Sequence, residues 1–152
     1  MILQRQPNSW SCAPTAWAMA FNCPVEEVIR ELGHDGSRVQ WPDEPEPKRR
    51  RGFHSQEFVR LALKHNYSVM PIELFPVLND LTLEWGDNFE YFKNIIRSSF
   101  GVIEGQGHRC KHAVAYDHGL VYDPAGRVYP YSKKECEAQD FYTQCAWRFH
   151  EV

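Results

Sequence analysis

The chain has 152 residues, of which 43% are apolar and 14% aromatic, enough for one domain with an ordinary core and too few for two. Its 17 Lys and Arg against 20 Asp and Glu give a formal net charge of -3, which argues against a nucleic-acid partner. We find no apolar run of the roughly 18 to 20 residues that cross a membrane, and no secretory signal at the start. We therefore predict one domain over residues 1–152, cytoplasmic and without a membrane partner; the sequence leaves secretion and oligomeric state open.

Helices are predicted in the first two thirds of the chain. Small and apolar residues from Ser11 to Phe21 indicate a buried helix that begins at or just before Cys12, with Pro14 in its first turn. Further helices are predicted over PVEEVIREL, over SQEFVRLALKHN with Ser55 as its cap, and over FEYFKNIIRSSF with Asp87 or Asn88 as its cap. Between the second and third helices, residues 34–52 carry clustered charge and several prolines, which predicts a surface loop.

The pattern changes after Gly101 from helical to alternating. The segments GVIEGQG, KHAVAYDHG, LVYDPAG, RVYPYS and TQCAWRFH are predicted as short strands with turns between them. Helices first and strands second favour an α+β fold, with the first helix packed on a C-terminal antiparallel sheet.

Cys12 is the best candidate for a nucleophile among five cysteines. The odd number of cysteines and the lack of a CxxC pair fit neither a complete disulfide framework nor a standard zinc site, so we expect free thiols. Only Cys12 is predicted at the start of a helix, where unpaired N–H groups and the helix dipole favour a thiolate.

His112, Asp123 and Gln6 could supply the other groups that such a nucleophile needs. His112 opens one predicted strand and Asp123 ends the next, so a hairpin around residues 117–119 would bring the carboxylate to the imidazole. Gln6 precedes Cys12 by six residues, and its neutral amide could stabilise an oxyanion together with the Cys12 N–H.

These residues resemble those of the papain-like cysteine peptidases. The blocks QRQPNSWSCAPTAWAM, FEYFKNIIRSSF and KHAVAYDHGLVYDPAG are most similar to the compact bacterial branch that includes the double-glycine leader peptidases of bacteriocin exporters. The resemblance implies Cys12 as nucleophile, His112 as general base and acid, Asp123 as orienting residue and Gln6 as oxyanion donor. Two positions depart from the leader peptidases, which usually have Asp before and Gly after the cysteine, where this chain has Ser11 and Ala13.

Several residues also have other interpretations. Most free cysteines are core residues, and the inference for Cys12 depends on its three predicted partners. His108, Cys110 and His112 alternate and could bind zinc, although GQGHRCKH lacks a fourth ligand. Trp10 and Trp41 are predicted to bind substrate, because one lies next to the nucleophile and the other lies in the loop at 34–52.

The sequence predicts a papain-like cysteine hydrolase that cleaves a peptide or isopeptide bond of a protein or peptide through a thioester. It requires no metal and no organic cofactor. An acyltransferase or deamidase with the same thioester, or a non-catalytic binding module with this fold, remains an alternative.

Overall fold

A computed structural model describes residues 1–84, 86–107 and 110–152. It confirms the predicted α+β class, with helices in the first part of the chain and an antiparallel sheet in the last part. The helices are α1 (Cys12–Phe21), α2 (Val25–Leu32), α3 (Ser55–Ala62), α4 (Asn88–Ser98) and α5 (Lys133–Ala138), with a 3-10 turn at Leu63–His65. The strands are β1 (Tyr67–Glu73), β2 (Val77–Asn79), β3 (Thr82–Glu84), β4 (Phe100–Gln106), β5 (Lys111–Asp117), β6 (Leu120–Asp123), β7 (Arg127–Pro130) and β8 (Tyr142–Glu151).

Six of the strands form one sheet in the order β1-β8-β4-β5-β6-β7, and every neighbouring pair is antiparallel. The strands β2 and β3 form a separate hairpin. The predicted turn between β5 and β6 is confirmed, since Asp117 pairs with Leu120 across it. In that turn His118 has a φ of 46° and Gly119 a φ of 91°, the left-handed conformation of a tight hairpin.

Both faces of the central strands are covered. Alternate residues of β4 and β5 point to opposite sides, so Val102 and Ala113 join one core while Ile103 and Val114 join the other. The first core lies under α1, α2 and α3, and the second lies under α4. The side chain of Trp17 on α1 is fully buried in the first core. Helix α1 is thereby fixed against the sheet, and so is the position of its first residue, Cys12.

Some element details differ from the sequence predictions. Ser55 is not the cap of α3: His54 occupies that position, and the Ser55 hydroxyl donates to Glu104 on β4 at 2.6 Å. From its sequence, the segment SVMPIELF is expected to be extended and broken at Pro71 and Pro76. Strand β1 instead continues through Pro71, because β1 lies at the edge of the sheet, where a missing N–H is tolerated. The hairpin β2–β3 and the short α5 were not predicted at all.

Residues 34–52, here called the excursion, connect α2 to α3 and contain little regular structure. One isolated bridge joins Val39 and Arg50, and the Arg51 N–H donates to the Arg38 carbonyl at 2.7 Å. Within the residues that the structure describes, no helix is long and apolar enough to cross a membrane.

Candidate active site

Cys12 is the first residue of α1. Ser11 before it has a non-helical backbone conformation, and residues 14 to 21 of the helix are all buried. Trp17 stacks on Phe58 with a centroid separation of 5.3 Å and contacts Trp147 and Phe149 of β8. This packing fixes the helix, and its positive end with unpaired N–H groups lies at the Cys12 sulfur.

His112 and Asp123 meet beside this helix end. The Nε2 atom of His112 lies 2.8 Å from Oδ1 of Asp123, a hydrogen bond that leaves Nδ1 as the ring nitrogen for the thiol. The same Asp123 oxygen accepts the Ala125 N–H at 2.8 Å, and Arg127 lies 3.8 Å from the second carboxylate oxygen. The Asp123 side chain is 4% exposed and that of His112 is 22% exposed. The carboxylate is therefore held from two sides, and the ring is partly open to solvent.

The surroundings of His112 favour its protonated form. Burial of the ring lowers its pKa, but the hydrogen bonds to Asp123 and Cys12 outweigh burial and raise the pKa to about 10. The same hydrogen bond lowers the pKa of Asp123 against the effect of burial. An imidazolium at neutral pH puts a positive charge beside Cys12, the first residue of α1.

Gln6 lies next to this group through its backbone. Its N–H donates to the carbonyl of Pro124 at 2.8 Å, directly after Asp123. Its side-chain Nε2 donates to the Asn8 carbonyl at 2.8 Å, and Oε1 is buried without a hydrogen-bond partner among the described residues. One hydrogen of the amide is thus used within the N-terminal segment, and one remains for another acceptor. The oxyanion role of Gln6 stays a prediction.

The two tryptophans differ in position. Trp10 lines a cleft that also contains Cys12 and His112. Its indole N–H donates to the Asp35 carbonyl at 2.9 Å, and the Arg50 guanidinium lies 4.6 Å from its ring centroid. The excursion at 34–52 thus reaches the cleft by holding Trp10. Trp41 in the same excursion is 61% exposed and is not among the residues that line the cleft.

The cleft has a volume of about 400 Å³ and lies between the helices and the sheet. Besides Cys12 and His112 it is lined by residues that the sequence analysis did not single out, including Phe53, Glu73, Glu104 and Cys145. Glu104 is in the predicted strand GVIEGQG, where a charge interrupts an apolar run. That interruption was the available signal, but only the fold shows that Glu104 lines the same cleft as Cys12.

Two groups of residues come into question as metal ligands. Of the three residues considered for zinc, His108 lies outside the described residues, and His112 uses Nε2 for Asp123. A different group, Cys23, Glu27 and His65, has ligand atoms within 4.8 Å of one another. It lies beyond the C-terminal end of α1, whereas Cys12 is at the N-terminal end. The His65 ring is held there by a 3.0 Å contact with Glu31.

The comparisons with known proteins locate the fold. No protein-family profile and no curated protein matches the chain. Among solved structures, one similar chain is a double-glycine motif protease from an AMS/PCAT transporter in complex with its leader peptide, with 15% identity and a TM-score of 0.59. The match covers 99% of this chain and 91% of that one. Another is the peptidase domain of Streptococcus ComA, a bifunctional ABC transporter of a quorum-sensing pathway, with 17% identity, a TM-score of 0.56 and coverage of 99% and 98%. The resemblance predicted from the sequence is confirmed at the level of structure: the chain has the fold of the papain-like, double-glycine peptidase domains.

Proposed function

We propose that this chain is a cysteine peptidase in which Cys12 attacks the carbonyl carbon of a peptide or isopeptide bond. The observation that carries the proposal is the position of His112, which hydrogen-bonds the buried Asp123 carboxylate and lines the same cleft as Cys12. Thiol, imidazole and carboxylate in this order are the groups that nucleophilic acyl transfer requires.

The reaction starts from the thiolate of Cys12 and the imidazolium of His112. The sulfur adds to the carbonyl carbon, and the Cys12 N–H and the Gln6 amide stabilise the oxyanion. His112 then donates its proton to the leaving amine, and a thioester forms. Water, deprotonated by His112, hydrolyses the thioester and restores the thiol. Asp123 holds the ring in one orientation throughout.

A peptide is the substrate that fits this reaction best. One of the similar structures contains a leader peptide, and the cleft here is partly open to solvent. Trp10 offers an apolar surface beside the nucleophile for a substrate side chain. The five free cysteines favour a reducing compartment such as the cytoplasm as the place of the reaction.

The proposal is tested with a fluorogenic peptide library and mass spectrometry of the acid-quenched protein. The wild-type chain should cleave at least one library member and carry a transient acyl group on Cys12. His112→Ala should lower kcat/KM by about 100-fold or more, because the general base and acid is lost. His118→Ala is the matched control, since His118 bonds Asp117 on the far side of the hairpin.

The products separate hydrolysis from its alternatives. A free carboxylate at the cleaved bond supports a peptidase, transfer of the acyl group to an added amine supports an acyltransferase, and release of ammonia from glutamine peptides supports a deamidase. Absence of acylation at Cys12 with every peptide would contradict the proposal and favour a binding module.

A further inference from the structure

One row of residues crosses the cleft face of the sheet. Glu73 of β1 pairs with Cys145 of β8, Cys145 pairs with Glu104 of β4, and Glu104 pairs with Ala113 of β5. Residues paired across strands share a face, and all four line the cleft. With strands about 4.8 Å apart, the row extends about 15 Å from the residue next to His112. It alternates two carboxylates with two small residues.

Glu104 is held in place by two donors. The Ser55 hydroxyl of α3 donates to Oε1 at 2.6 Å, and the Trp147 indole N–H donates to the same oxygen at 3.0 Å. One donor comes from the helical side of the cleft and the other from the sheet. The carboxylate therefore has a fixed position in the cleft before any ligand binds, which lowers the entropy cost of a contact with one.

The negative charge of this row is not neutralised within the described residues. None of their lysines or arginines lies within ion-pair distance of Glu104 or Glu73. The cleft contains one lysine, Lys111, which lies two residues from Ala113 along β5. Burial together with the charges of Glu104 and Glu73 raises the pKa of Cys145 to about 12, so both carboxylates lie close enough to act on this thiol.

Aromatic side chains form part of the remaining cleft surface. Phe53, which precedes α3, and Trp10 line it together with the row. Cys145 is 7% exposed and small, so it leaves depth between the two carboxylates, and the small Ala113 leaves depth on the other side of Glu104. A long side chain with an apolar stem and a cationic head matches these surfaces, because the stem packs on aromatic rings and the head reaches a carboxylate.

We propose that the cleft selects a substrate with an arginine or lysine side chain near the scissile bond, and that Glu104 is the residue that determines this specificity. This inference rests on the proposed peptidase function and names its substrate class. The cationic head binds the Glu104 carboxylate, and Glu73 adds a second, more exposed and weaker contact.

The test measures binding separately from cleavage. Cys12→Ala is titrated with a positional-scanning library of fluorescent hexapeptides, in which one fixed position at a time holds arginine or citrulline. Citrulline has nearly the shape of arginine without its charge. At one position arginine should bind about tenfold or more tightly than citrulline, as expected for one charge-assisted contact.

Variants of Cys12→Ala assign the preference to a residue. Glu104→Gln should remove it, whereas Glu84→Gln should keep it, because Glu84 on β3 loses the same charge outside the cleft. Circular dichroism of each variant confirms that it is folded. Equal binding of both peptides at every position, no measurable binding, or a preference that persists in Glu104→Gln would overturn the inference.

Cleavage by the wild-type chain separates the two proposals. An arginine preference in binding without cleavage of any peptide would support the selectivity of the cleft and contradict the peptidase function. Cleavage without any arginine or lysine preference would support the peptidase function and overturn the role of Glu104.

Discussion

One oxygen atom of the Asp123 carboxylate accepts hydrogen bonds from two neighbouring residues. Oδ1 accepts both the His112 Nε2–H and the Ala125 N–H, and the residue is buried at the end of β6. The backbone bond sets the orientation of the carboxylate independently of the histidine. Asp123 can therefore position the ring and at the same time stabilise its positive charge.

Replacing this carboxylate should change the pH profile of the proposed peptidase activity. Because hydrogen bonding raises the pKa of His112 to about 10, the imidazolium is lost, and with it activity, as the pH rises through about 10. Asp123→Asn removes the negative charge and should move the alkaline limb of kcat/KM to lower pH by at least about one unit.

The matched control is Asp117→Asn. The Asp117 carboxylate also hydrogen-bonds a histidine, His118, at 2.7 Å, but it lies outside the cleft. The pH profile of Asp117→Asn should equal that of the wild type. An alkaline limb that stays in place or moves upward in Asp123→Asn would contradict the assigned role of Asp123.

The sequence predicts the position of a residue well when that position is the start or the end of a clearly patterned helix or strand. Cys12 at a helix start and Asp123 at a strand end can both be identified from local pattern alone. Glu104 and Glu73 cannot, because they are about thirty residues apart and become neighbours only through β8, which comes last in the chain. The Gln6 amide shows a further limit: its contact with the Asn8 carbonyl depends on rotamers that no pattern encodes.

Strand β4 depends on a glycine for its contact with β8. A Cβ at Gly101 would lie 1.8 Å from the carbonyl oxygen of Trp147, a backbone atom that cannot move away easily. The close approach keeps Trp147 next to Glu104 and to Trp17 of α1. The contact between these strands thus supports both the cleft and the helix that carries Cys12.

Gly101→Ala should lower the free energy of unfolding by at least about 2 kcal/mol, because the added methyl group forces the two strands apart. Urea denaturation followed by tryptophan fluorescence measures the change.

Gly86→Ala is the control, since a Cβ at Gly86 would meet no heavy atom of the described residues within 4 Å. It should change stability by less than about 0.5 kcal/mol. An unchanged urea midpoint in Gly101→Ala would contradict the close packing of β4 on β8.

Most helices and strands could be predicted from the sequence because their apolar residues recur with a clear helical or alternating period. Helix α5 and the β2–β3 hairpin were not predicted, because they have no buried residues and thus no apolar period to detect. The prediction of a break at Pro71 was wrong, because a proline is tolerated in an edge strand. The edge position of β1 follows from its pairing with β8, about 75 residues later in the chain. Whether a strand lies at the edge or in the centre of a sheet depends on pairing with strands far away in the sequence.

The fold as a whole gives chemically identical thiols different environments. The five cysteines are free, and burial with nearby carboxylates raises the pKa of Cys23 to about 11 and that of Cys145 to about 12. Burial also raises the pKa of Cys136 to about 11. Within the part of the chain that the structure describes, only Cys12 combines a helix start with a neighbouring imidazolium.

We therefore expect iodoacetamide to alkylate Cys12 of the native chain at least about 100-fold faster than Cys23, Cys136 and Cys145. In concentrated urea the four rates should become similar, because the thiols then have the same surroundings. Peptide mapping by mass spectrometry gives the rate at each cysteine. Native labelling of Cys23 or Cys145 as fast as that of Cys12 would contradict this expectation.

The bond between the Gln6 N–H and the Pro124 carbonyl joins the segment before Cys12 to the turn after Asp123. It uses main-chain atoms only, as does the Ala125 N–H that holds Asp123. Side chains around these two hydrogen bonds can change during evolution without breaking the bonds, whereas an insertion in this turn would disrupt them. Divergence should therefore spare the length of the turn and alter its composition, consistent with a fold that is still recognisable at 15% and 17% identity.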